Sequence, residues 1–132
     1  MSKDRVMVLS DVIRQTSFDI HRYHRQGHLE KIYENALAHR LRKLNLNVQA
    51  QLPIAVHDED GTLLGDMTAD LFVEDCLLIE LKACAGLRDE HIAQLLGYLR
   101  ATRTEHGLLI NFGTPKLQIR KFVLADIAPA AL

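Results

Sequence analysis

The sequence predicts a small α/β fold built in the order ααβββαββ. Three observations carry that reading. Apolar residues recur at three- and four-residue spacing early in the chain. Loosely alternating apolar runs separated by turn residues fill the middle. A further helical pattern then leads into short, wholly apolar runs. At 132 residues with 48% hydrophobic content, the chain is expected to form one domain over 1–132 and to bury a core without disulfide or metal staples.

The first helix is expected from Ser10 to Arg25, with Val12, Ile13, Phe18 and Ile20 as apolar positions, Ser10 or Asp11 as cap and Gly27 as the stop. A second helix follows from the stripe Leu29, Ile32, Tyr33, Ala36, Leu37, Leu41 and Leu44, ending at Asn45, with Glu30, Glu34, Arg40 and Arg42 off or beside the stripe. Val48 to Val56 then reads as a strand, and Asp58-Glu-Asp-Gly61 supplies turn chemistry for a hairpin. Pro53 cannot donate to a ladder, which puts that strand at an edge or at a bulge. The return strand, about Asp66 to Glu74, and the next, Leu77 to Ala83, form a second hairpin across Asp75. Gly86 and Asp89 open a third helix from Glu90 to about Thr104, with Ile92, Leu95, Leu96 and Leu99 as its apolar face and Gly107 closing it. Leu108 to Phe112 and Ile119 to Leu124 are the last strands, separated by Gly113-Thr-Pro115, and 128–132 is expected to be a frayed tail.

Charge is nearly balanced, 16 Lys and Arg against 17 Asp and Glu, so no global field attracts a polyanion and any nucleic-acid contact must come from a local patch. No apolar stretch after Met-Ser-Lys-Asp-Arg is long enough for a signal peptide or membrane span, and the expectation is a soluble cytoplasmic protein without a membrane partner. Cys76 and Cys84 fit neither a CxxC pair nor a secreted framework, and reduced thiols are expected.

Side-chain parity on the two central strands points to the chemistry. Ala69, Leu71 and Val73 share one face, and Thr68, Asp70 and Phe72 the other. In the next strand Ile79, Leu81 and Ala83 oppose Leu78, Glu80 and Lys82. With the apolar sets on one buried face, Asp70, Glu80 and Lys82 share the opposite one. That requires paired residue numbers with an even sum, hence an odd-length loop or a bulge around Glu74 to Cys76. Two neighbouring carboxylates repel unless a divalent cation or a lysine sits between them, and Mg²⁺, with Mn²⁺ as an alternative, suits a few carboxylates, retained waters and phosphate oxygens. Lys82 could orient a water or stabilise charge on the phosphate. The plain alternative is a Glu80–Lys82 salt bridge on a solvated face. Two features weigh against it: the strand is otherwise almost wholly apolar, and His91, Gln94 and Tyr98 form one stripe on the third helix beside its apolar face. Gln94 could touch Lys82, the water or a phosphate, whereas Tyr98 alone reads as a core aromatic with its hydroxyl at the rim.

Taken together, Gly27-His-Leu-Glu30-Lys-Ile-Tyr33-Glu34, Ala69-Asp70, Glu80-Leu-Lys82-Ala83, His91-Ile-Ala-Gln94-Leu-Leu-Gly-Tyr98-Leu and Leu108-Leu-Ile-Asn111-Phe112 resemble the GxxExxY proteins of the PD-(D/E)XK nuclease superfamily. The resemblance covers about residues 10 to 124. It implies a restriction-endonuclease-like αβββαβ core, a mixed central sheet flanked by helices. It also implies Asp70, Glu80 and Lys82 as the PD and ExK residues, Gln94 and Tyr98 as a Q-x-x-x-Y element, and a metal-site carboxylate from the second helix, Glu34 before Glu30. The first acidic motif reads Ala-Asp instead of Pro-Asp.

The function expected is a Mg²⁺-dependent nuclease that hydrolyses phosphodiester bonds, in DNA before RNA. The catalytic set is Asp70, Glu80, Lys82, Glu34 and Gln94; Asp70, Glu80 and Glu34 are the metal ligands; Tyr98, His91, Glu30 and Arg40 are possible substrate contacts. Basic clusters at His21–Arg25, at His39, Arg40, Arg42 and Lys43, and at Lys116, Arg120 and Lys121 could grip phosphates or be solvated faces. Few aromatics leave base stacking unadvertised. A homodimer would double the basic surface. The competing reading keeps the fold without the chemistry, as a catalytically inactive dimeric nucleic-acid-binding or scaffold module. A small-molecule enzyme has no glycine-rich phosphate loop or G-x-S-x-G to support it.

Overall fold

Val6, Leu9, Ile13 and Ile20 are all buried and recur on one helical face, which winds Lys3–His24 into helix α1. The computed structural model describes residues 3–124, so the expected tail at 128–132 lies outside the described residues. Helix α1 starts well before Ser10 because Val6 and Leu9 extend the stripe toward the N-terminus. Ser10 is therefore a buried mid-helix residue and not a cap, and Phe18, expected in the stripe, is exposed. Arg25 (φ 61°) and Gly27 (φ 114°) end the helix in left-handed backbone. Helix α2 spans Glu30–Lys43 and buries Tyr33, Leu37, Ala38 and Leu41. Ile32 is exposed instead, and Glu34 is buried.

Five strands follow in a single sheet of order β1-β2-β3-β4-β5: β1 (Val48–His57), β2 (Leu63–Val73), β3 (Leu77–Lys82), β4 (His106–Asn111) and β5 (Gln118–Val123). Strand β1 with Pro53 lies at the sheet edge, where the missing N–H costs no ladder bond. Only β3 and β4 run parallel, joined across α3 (Asp89–Thr102), so the sheet is mixed. Gly107 does not close α3. Arg103 does, in αL conformation (φ 54°, ψ 40°). Gly107 lies in β4 under the helix, where a Cβ would meet Leu95 and Leu99 at 3.2 Å.

Two apolar clusters sandwich the sheet. On one face Leu71, Val73, Ile79, Leu81, Leu108 and Ile110 pack beneath α1 and α2. On the other, Ile54, Ala69, Leu78 and Leu109 pack against Leu95, Tyr98 and Leu99 of α3. Ala69 departs from the expected parity with Leu71 and Val73: it packs on the α3 side, so the pleat alternation breaks at the intervening residue, Asp70. Among the described residues, no helix is long and apolar enough to cross a membrane.

A polar clamp fixes the exit of β3. The buried Asn111 side chain accepts from the Cys84 N–H (3.1 Å) and the Gly113 N–H (3.0 Å), and donates to the Cys84 carbonyl (3.1 Å) and to Gln118 (2.9 Å). The approach is close enough that a Cβ on Gly113 would lie 2.3 Å from the Cys84 nitrogen and 2.6 Å from the Ala83 carbonyl carbon, both backbone atoms that cannot swing aside. Gly113→Ala is therefore expected to destabilise the protein by about 1–3 kcal/mol, the usual range for overpacking. Urea denaturation measures this, and an unchanged midpoint would contradict the close approach.

Candidate active site

The ladder between β2 and β3 is only three pairs long, Leu71↔Ile79, Phe72↔Leu78 and Val73↔Leu77. The paired numbers have an even sum, and the loop between them, Glu74-Asp75-Cys76, holds an odd number of residues, as the parity argument requires. Glu74 (φ 53°) and Asp75 (φ 54°) both adopt left-handed backbone to make that loop. Beyond Leu71↔Ile79 the ladder gives way to side chains. The Asp70 N–H donates to Glu80 Oε1 (2.8 Å), and the Leu81 N–H donates to Asp70 Oδ2 (2.8 Å). Each carboxylate thus satisfies a backbone donor that would otherwise be orphaned where the strands part.

Strand β1 breaks at the same level. Its register with β2 runs from Val48↔Val73 to Ala50↔Leu71 and resumes at Leu52↔Ala69, skipping Gln51 opposite Asp70. Gln51 has φ 57°, a left-handed conformation in mid-strand for a residue with a full side chain. Its amide donates to Glu34 Oε1 (2.8 Å), while Lys31 Nζ meets Glu34 Oε2 at 2.6 Å. Glu34 is only 3% exposed, so both oxygens of a buried carboxylate are occupied. Tyr33, the neighbouring residue, stacks on Phe112 (centroids 4.7 Å apart). Its hydroxyl donates to the Arg25 carbonyl and accepts from the His28 N–H, tying the Gly27 turn to the start of α2.

On the α3 side, Lys82 Nζ donates to Gln94 Oε1 at 3.0 Å. Tyr98, one turn on, is buried, and burial raises its phenol above the ordinary range, with the Glu80 and Asp70 carboxylates adding to the effect and Gln94 opposing it. Glu30 is exposed, yet its charge acts on both Asp70 and Glu80. The structure thus brings together Asp70, Glu80, Lys82, Gln94, Tyr98, Glu34 and Glu30. His91 lies at the start of α3 with its Nδ1 accepting the Arg88 N–H (3.0 Å), and Arg40 lines a groove between α2 and His24. Sequence reading missed Gln51, whose role is set by a backbone conformation that its side chain does not advertise. It also missed Lys31, for which the three-residue spacing to Glu34 was a usable signal.

Burial is the main force on the two central carboxyls. Asp70 is pushed up to about 6, first by burial and then by Glu34 and Glu30, against the Leu81 N–H that favours its charge. Glu80, 4% exposed, is pushed up to about 8, by burial and then by Asp70. Such a pair favours either protons or a cation. Asp70 and Glu80 each commit one oxygen to a backbone N–H, and the remaining carboxylate oxygens are hard donors that suit Mg²⁺, which takes one or two carboxylates and retains waters. Glu34 was expected as a third ligand. Glu34 lies beside Asp70, whose carboxyl its charge and a side-chain hydrogen bond both raise, and its oxygens also meet Lys31 and Gln51.

A family model of the PD-(D/E)XK nuclease superfamily matches residues 7–122. Among solved structures, the crystal structure of SSO0001 resembles this chain with a TM-score of 0.58 and 20% sequence identity, a likeness of fold covering 71% of this chain and 50% of that one. The chain therefore spans about half the length of that protein. No curated protein matches at a significant level.

Two outcomes follow from this geometry. Between the ordinary carboxylate range and about 6 for Asp70 or about 8 for Glu80, the folded protein holds protons that the unfolded chain releases, so in chelator this pair's contribution to stability is full below the ordinary carboxylate range and is lost as pH rises through about 6 and about 8. In EDTA the melting temperature of the wild type, compared with Glu80→Gln, is expected to fall across that interval, and Mg²⁺ is expected to restore it most at the alkaline end. A difference between the two proteins that stays flat with pH would refute the assignment. At Gln51, both Gln51→Ala and Gln51→Gly release Glu34, but only glycine accepts φ 57° without penalty. The glycine variant should be the more stable by about 1 kcal/mol in denaturant titration, and equal midpoints would mean that the left-handed backbone carries no cost.

Proposed function

The chain belongs to the PD-(D/E)XK nuclease superfamily, and from that premise we propose that it is a metal-dependent nuclease hydrolysing phosphodiester bonds, DNA in preference to RNA. The observation that carries the reading is the crossed pair of backbone-to-carboxylate bonds at Asp70 and Glu80, which holds a buried and a half-buried acid where the strands part, with Lys82 fixed beside them by Gln94. Buried charges are costly and need a reason. A divalent cation held by Asp70 and Glu80 would polarise a phosphoryl oxygen and lower the pKa of the attacking water.

The remaining work falls to the chain's own side chains. The Lys82 ammonium, positioned by the Gln94 carbonyl oxygen, orients the attacking water and offsets charge building on the phosphate oxygens. Glu34, braced by Lys31 and Gln51, and Glu30 add negative field that favours cation binding at Asp70. Tyr98 walls the site from the α3 side, its hydroxyl available to a phosphate or base. We also propose membership of the GxxExxY branch, since Gly27, Glu30 and Tyr33 each have a part: the glycine turns the chain, the tyrosine pins that turn, and the charge of the glutamate acts on the acidic pair. A cytoplasmic location and a homodimer complete the proposal, the dimer because so small a protein alone covers little nucleic acid.

The test is cleavage of single-stranded, duplex, flap and junction DNA and of RNA with Mg²⁺ or Mn²⁺. Asp70→Ala and Lys82→Ala are each expected to reduce the rate roughly 10²-fold or more. Equal activity in all three proteins would mark a contaminant. No cleavage combined with no divalent-ion binding in calorimetry would replace the nuclease with an inactive nucleic-acid-binding or scaffold module.

A further inference from the structure

A groove of about 440 Å³ lies between the C-terminal half of α3 and the end of β1, lined by Gly97, Arg100, Ala101 and Arg103 of the first and by His57 and Asp58 of the second. It shares a face of α3 with the candidate active site: Gln94, bonded to Lys82, is followed at i+3 and i+7 by the groove residues Gly97 and Ala101. Two of its residues run against local preference. Gly97 sits in the interior of α3, where glycine is among the worst helix formers, yet a Cβ there would meet no atom of the protein within 4 Å, so no internal packing requires it. Arg103 occupies the left-handed C-cap (φ 54°), a position that favours glycine. The helix thus has glycine where alanine would serve it better, and arginine where glycine would, both on one groove. Departures from local consistency without an internal reason mark functional surface. Among the described residues, neither Arg100 nor Arg103 forms an ion pair, and the Asp58 carboxylate turns back to accept the Glu59 N–H (2.8 Å).

We propose that this groove holds the sugar–phosphate backbone of the strand being cut, phosphates on Arg100 and Arg103 and the backbone lying against the bare surface at Gly97; the proposal rests on the nuclease reading for its substrate. At a helical rise of about 1.5 Å per residue, Arg100 and Arg103 lie roughly 9 and 13 Å along α3 from Gln94. With one phosphate per roughly 3.4 Å of strand, the grip falls about three to four nucleotides from the scissile bond. The two flanking arginines give a chain of balanced charge the local patch it needs to take a polyanion.

The experiment is fluorescence anisotropy of the full chain with a labelled single-stranded DNA of about 20 nucleotides in EDTA, titrated at several salt concentrations. Arg100→Ala, Arg103→Gly and Gly97→Glu are each expected to weaken binding roughly five- to tenfold, and each arginine variant to lower the slope of log affinity against log salt by about 0.7. Thermal melts separate this from misfolding, because Gly97→Ala and Arg103→Gly both relieve a local conflict and are expected to melt at or above the wild-type temperature. Variants that bind as the wild type does, with the salt slope unchanged, would overturn the groove. A wild type that binds through these residues but cuts nothing in Mg²⁺ keeps the groove and removes the nuclease. One that cuts through Asp70 while the groove variants bind unaltered removes the groove alone.

Discussion

Two crossed hydrogen bonds, Asp70 N–H to Glu80 and Leu81 N–H to Asp70, determine what the rest of the molecule must do. A sheet whose strands part inside the protein leaves backbone donors that need partners. Filling those places with carboxylates satisfies the donors and fixes the acids, but it also buries charge. The N–H bonds favour the ionised forms; burial disfavours them more strongly, helped by Glu34 and Glu30 at Asp70 and by Asp70 at Glu80, and both carboxyls are pushed up. The brace therefore makes a site whose geometry is fixed while its carboxyls are held above their ordinary range.

Each neighbouring element has a device that brings it to this opening. Helix α2 is set by Tyr33, wedged on Phe112 and tied to the Gly27 turn, so that Glu34 on the next residue points into the buried space beside Gln51. Helix α3 comes close because Gly107 in β4 leaves room for Leu95 and Leu99, and that approach lets Gln94 reach Lys82. The end of β3 is held by the Asn111 clamp on Cys84 and by the Phe112 N–H bonding the Lys82 carbonyl at 2.8 Å. Of these side chains Glu34 acts on Asp70 directly, and the others brace the surroundings. They limit the freedom of Lys82 and the helical side chains, which is what preorganisation requires.

Much of the architecture was legible because it rests on periodicity. The stripe Leu37, Leu41 and its neighbours, the near-continuous apolar run of β3 and the Asp58–Gly61 turn each reported one structural state, and the order of elements followed. Boundaries were less legible. Helix α1 reaches back to Lys3 on buried side chains that a reading begun at Ser10 overlooked, and β2 begins at Leu63, in a hairpin arm whose exposed Leu63 and Leu64 carry no alternation. Within the site, parity required an odd loop and thereby located Asp70 with Glu80, although the same parity misplaced Ala69 because it assumed an unbroken pleat. Gln51 was out of reach: nothing in Ala50-Gln51-Leu52 encodes a left-handed residue, which exists only because the sheet opens at Asp70.

That last case is one of several, and together they explain how an irregular site is compatible with a regular sheet. Glu74 and Asp75 hold left-handed backbone without being glycine, and the loop they make sets the parity on which the acidic pair depends. Local preference does not keep Glu74 there. Its carboxylate is held by Arg5 of α1 (2.7 Å) and by the Asn47 N–H (2.7 Å), and its own N–H donates to the Asn47 carbonyl (2.8 Å). Strain of about 1–3 kcal/mol at such a residue persists only where surrounding contacts over-determine it. The register of the site is therefore set partly from outside, by the start of the first helix and the turn before β1. A chain whose α1 docked a turn out of place would lose the Arg5 contact, relax Glu74 and let the hairpin slip by one residue, and a one-residue slip sends Glu80 to the opposite face from Asp70. In this sense the first helix, which contributes none of the candidate site residues, belongs to the machinery that keeps the two carboxylates together.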